Sequence, residues 1–66
     1  MNEILMKVLA SMKMDEENKV LIAMKLTKDS QIYDFLKWLQ KEVPEEKVSN
    51  MQDEIVGKAV ELSKIV

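Results

Sequence analysis

Histidine, cysteine and arginine are absent from this chain, and glycine and proline occur once each, as Gly57 and Pro44. Without imidazole and thiol there is no proton shuttle near neutral pH, no strong sulfur nucleophile and no ligand that soft metals prefer. Any chemistry must therefore use carboxylate, ammonium, hydroxyl or amide groups. The lack of cysteine also rules out a disulfide framework, and a lone glycine cannot build a phosphate-cradling loop. Long apolar runs are missing as well, none approaching the ~20 residues of a membrane span. The apolar start of the chain does not have the pattern of a secretion signal. Glu3 sits where positive charge is wanted, Lys7 interrupts the run and no small-x-small cleavage site follows. A cytoplasmic location is expected.

What remains is a 66-residue chain whose ten lysines and twelve carboxylates are interspersed, for a formal charge of −2. That length supports a single domain, and a fold of this size buries only about 60% of the surface its unfolded chain exposes. With neither disulfide nor metal to reinforce it, cohesion must come from tight helix packing or self-association. The mixed charge suits a soluble surface and provides no field to steer the protein onto phosphates.

Apolar residues recur at helical spacing in four segments, predicting helices over about 3–12, 16–26, 29–43 and 50–65. In the first, Ile4, Leu5, Val8, Leu9 and Met12 form one stripe, and Glu3 and Lys7 have the order favourable for an i, i+4 ion pair. Asp15 suits the N-cap of the second helix, with Glu16 and Glu17 set against its dipole. Val20, Leu21, Ala23 and Met24 cover one broad arc of that helix. Ile22 and Leu26 fall on another side, leaving Asn18 and Lys25 a narrow polar strip. A helix apolar around most of its girth needs neighbours on more than one side, which predicts a central position for it.

Thr27, Asp29 and Ser30 are all competent caps for the third helix. Its stripe is Ile32, Leu36, Leu39 and Val43 with Phe35 on the shoulder, and Asp34, Lys37 and Lys41 face away. Pro44 ends it by disfavouring helical geometry at Val43, and suits the start of a short turn through Glu45 and Glu46. Ser49 and Gln52 fit a capping box for the fourth helix, with Asp53 and Glu54 as first-turn acids. Its stripe is Met51, Ile55, Ala59, Leu62 and Val66, with Ile65 at the edge and Gly57 on the polar side. Val56 and Val60 form a smaller second stripe.

The expected fold is all-α, a compact four-helix bundle or an orthogonal four-helix array. The second helix lies at the centre, with Leu9, Val20, Leu21, Leu36, Leu39, Ile55 and Leu62 in the core.

The acidic runs at Asp15–Glu17, Glu45–Glu46 and Asp53–Glu54 lack calcium-loop spacing, and two of them open helices, so dipole complementation explains them without a metal. Ser11, Thr27, Ser30, Ser49 and Ser63 have no imidazole to activate them, and capping accounts for three of the five. No catalytic, cofactor, metal or small-molecule site is expected. The second and third helices with their short turn imitate a helix-turn-helix, which makes a small DNA-binding regulator the alternative function. The outward face of the third helix sets Lys28, Lys37 and Lys41 against Asp29, Asp34 and Glu42, however, and a DNA reader shows a basic footprint. Nucleic acid is disfavoured as a partner, and so is a membrane surface, because no helix joins an apolar face to a lysine-rich one.

Apolar residues left over after each helix has filled one face are the remaining clue. Met6, Met14, Tyr33, Trp38, Val56 and Val60 lie outside the main stripes or flank them, and tyrosine and tryptophan are frequent binding anchors. They are the candidate interface. The expected function is a small non-enzymatic interaction or assembly module whose partner is a second copy, forming a homodimer, or another protein.

Overall fold

The computed structural model describes residues 2–65. Met1 and Val66, the latter expected to end the fourth stripe, lie outside the described residues. The chain forms α1 (Glu3–Ser11), α2 (Glu16–Lys25), α3 (Asp29–Glu42), two 3-10 turns (Glu45–Lys47 and Ser49–Met51) and α4 (Gln52–Ser63). The fold is all-α, with no strand among the described residues.

Local chemistry accounts for the helix ends. Asn2 caps α1, its side-chain oxygen accepting from the Leu5 N–H at 3.0 Å. Among the described residues the Glu3–Lys7 pair does not close, and the ion pairs are Glu16–Lys19 and Lys58–Glu61, both at 3.6 Å. Asp15 occupies the N-cap position of α2 but makes no side-chain cap bond. Lys28, and not one of its hydroxyl or carboxylate neighbours, precedes α3. A lysine has no acceptor to offer the first-turn N–H groups, and the bonds at this end come from Gln31, whose side-chain oxygen reaches back to accept from the Thr27 and Lys28 N–H groups. Pro44 closes α3 and leads into the first 3-10 turn.

Two glutamines set the directions of the helices. Gln52, at the start of α4, accepts from the Asp15 N–H at 2.9 Å and the Asn18 amide at 2.8 Å, tying the beginnings of α2 and α4 together. Gln31, near the start of α3, donates to the Ser63 and Ile65 carbonyls at the end of α4. Consequently α2 and α4 run the same way and α3 runs against both. The Asn2 side chain approaches Asp29 at 3.5 Å, which sets α1 antiparallel to α2. The capping box expected from Ser49 and Gln52 does not form. Gln52 reaches the Ser49 carbonyl with its amide nitrogen and uses its oxygen on α2.

The second helix has neighbours on two sides, as expected, but it shares the middle of the fold with α4. α4 packs on both α2 and α3, and α2 on both α4 and α1. Ile55 and Ala59 of α4 are fully buried and Leu62 nearly so, joined in the core by Phe35, Leu39, Leu5 and Leu9.

The arc assigned to the α2 core is the wrong one. Ile22 is fully buried and Leu26 nearly so, while Val20 and Leu21 are 54% and 42% exposed. The inward row begins at Asn18, whose side-chain amide donates to Gln52 of α4. Ile22 and Leu26, at i+4 and i+8, continue that row, and their burial keeps this side of α2 against the core. Val20 and Met24 are thereby rotated outward.

In α3 the stripe is shifted toward Phe35, which is fully buried, and Leu36 is only half-buried. Val48, between the two 3-10 turns, is buried and closes the end of the core beside Val43.

Candidate interaction surface

The six residues singled out from sequence do not come together. Met14 turns inward from the α1–α2 link and is buried in the core, which removes it from any exposed face. Tyr33 stands exposed on α3 with the Lys37 ammonium 6.0 Å from its ring centroid. Trp38 is half-buried: its ring lies 6.3 Å from that of Phe35, stacked at 27°, and the Lys58 ammonium of α4 lies 5.8 Å from its centroid. Packing against the core and a cation on one face account for Trp38 within the chain. Val56 and Val60 are half-buried and continue the Gln52 row of α4, the row that faces α2.

Met6 belongs to a surface that periodicity alone did not reveal. Among the described residues seven large apolar side chains are exposed, and five are on the first two helices: Ile4, Met6, Val20, Leu21 and Met24. Between α1 and α2 runs an open groove of about 310 Å³, lined by Met6 and Ala10 on one side and by Val20, Ala23 and Met24 on the other, with Leu9 among its lining residues. Glu16 and Lys19, paired with each other, are the charged residues beside it. Leu21 lies one step further round α2, on the side toward α4. An exposed apolar surface thus runs from the α1 groove across Val20, Met24 and Leu21 of α2.

Each part of this surface has a local reason. Ala10 is small enough to let the groove open beside it. Val20 and Met24 share an i, i+4 row on the side of α2 that Asn18 and Ile22 leave facing outward. Met24 is 66% exposed, more than any other apolar residue of α2. The signal available in sequence was Asn18.

No polar side-chain atom is left buried without a hydrogen-bond partner among the described residues. Nor do those residues include a group of three acidic side chains that could hold a metal ion. No helix of the described chain is long and apolar enough to cross a membrane. No family model, curated protein or solved structure matches this chain.

Proposed function

We propose that this chain is a small, non-enzymatic, cytoplasmic interaction module that assembles by self-association through the outward face of α2 and the adjoining α1 groove. The observation that carries this reading is the outward row of Val20, Leu21 and Met24, continued by Met6, which its own chain leaves exposed. A small soluble domain rarely keeps contiguous apolar surface in water unless that surface has a partner. Methionine adds to the fit, since its unbranched, polarizable side chain packs against irregular surfaces. The shortage of core in so short a chain supports the same conclusion, because association buries apolar area that folding alone cannot reach.

Sedimentation equilibrium at micromolar concentration tests the proposal. The wild-type chain is expected to sediment as a dimer. Met24→Glu, which sets a charge in the apolar surface, is expected to weaken association by at least about tenfold, equivalent to roughly 1.4 kcal/mol. Tyr33→Glu, at an equally exposed site on α3, serves as the control and should leave association unchanged. A wild-type chain that remains monomeric, with both variants behaving identically, would overturn the reading.

A further inference from the structure

Charge is distributed unevenly along the exposed face of α2. Glu16 and Glu17 are exposed in its first turn, and Lys25 and Lys28 are exposed at and just beyond its last. Glu16 is held by Lys19 on the groove side. Among the described residues neither Glu17 nor Lys25 makes an ion pair. The two are spaced evenly about Leu21, four positions to either side, and the exposed apolar row of Val20, Leu21 and Met24 lies between them.

From this arrangement we infer that the partner is a second copy of the chain, docked with its α2 antiparallel to the first about a two-fold axis near Leu21. The inference rests on the self-association proposed above and specifies its geometry. A two-fold contact is self-complementary: whatever residue i meets on its partner, that residue meets i in return. With Leu21 at the axis, Glu17 of each copy lies beside Lys25 of the other, so both pairs form by a single operation. A parallel alignment would instead set Glu17 against Glu17 and Lys25 against Lys25, and like charges across an interface oppose association. The opposed helix dipoles of an antiparallel pair favour the same arrangement.

The absence of native cysteine makes the test direct, because any disulfide must come from an introduced residue. Glu17→Cys and Lys25→Cys are prepared separately, both at exposed positions, and oxidised under mild conditions alone and as an equimolar mixture. In the antiparallel dimer the two copies of position 17 are separated by about 12 Å along the helix axes, beyond the ~7 Å Cα separation that a disulfide spans. Each variant alone should therefore couple poorly, and the mixture should give the mixed disulfide in roughly tenfold excess over either homodisulfide. Homodisulfides forming as readily as the mixed species would overturn the antiparallel arrangement. So would a chain that sediments as a dimer yet gives no mixed disulfide, and in that case self-association itself would stand. A monomer by sedimentation removes both.

Discussion

The Gln31 side-chain amide donates to the Ile65 carbonyl at 2.9 Å, joining two positions 34 residues apart in the chain. Through its oxygen the same side chain accepts the N–H groups of Thr27 and Lys28, so one buried amide serves the start of α3 and the end of α4. Removing it deletes four part-buried hydrogen bonds at once. Gln31→Leu is therefore expected to destabilise the fold by about 1–3 kcal/mol. Gln31→Glu is expected to cost at least as much, because it turns a donor into an acceptor facing two carbonyls. Urea unfolding followed by circular dichroism, at fixed protein concentration, checks both. A loss within error of zero for both variants would show that the clamp contributes nothing.

Ile22 and Val20 are two residues apart on α2, yet one is fully buried and the other is 54% exposed. Ile22→Ala opens a cavity beside α4 and is expected to cost about 2–5 kcal/mol. Val20→Ala is expected to stay within about 0.5 kcal/mol when measured at concentrations low enough to keep the protein monomeric. Equal losses, or a larger loss at Val20, would mean that the opposite arc of α2 faces the core.

Gly57 lies within α4 on its exposed side, and a Cβ added there would meet nothing within 4 Å. Its φ is negative, so alanine fits the existing backbone without strain. Gly57→Ala is expected to stabilise the protein by about 0.5–1 kcal/mol through the lower backbone entropy of the unfolded chain. For a domain this small, 1 kcal/mol corresponds to a rise in Tm of about 4–8 °C, readable by thermal circular dichroism. A fall in Tm would imply a close backbone approach at this position that the structure does not show.

Much of the architecture is legible in the sequence. The spacing of Ile32, Leu39 and Val43 and the stop at Pro44 placed α3 to within a residue, and the acids after Asp15 marked the start of α2. Leu9, Leu39, Ile55 and Leu62 reached the core as expected. The interface candidates were less legible. Met14 and Trp38 looked surplus on a helical wheel because a wheel describes a straight, isolated helix. Met14 sits in a link outside any helix, and Trp38 is accounted for by Phe35 beside it and Lys58 across from it. Val20, Leu21 and Met24, assigned to the core side, turned out to be the exposed row.

The sequence by itself determined the number, length and order of the helices, since these follow from short-range spacing, caps and a proline. It also left the chain without the side chains on which most catalysis depends. Only the tertiary structure decided which side of α2 faces inward and which helices pack on one another. Local periodicity gives an equal reading to any arc of a helix that is apolar all around, so it could not choose. The choice lies in long-range contacts, such as the burial of Ile22 and Leu26 and the bond of Asn18 to Gln52, 34 positions away, and no local pattern records a contact at that range.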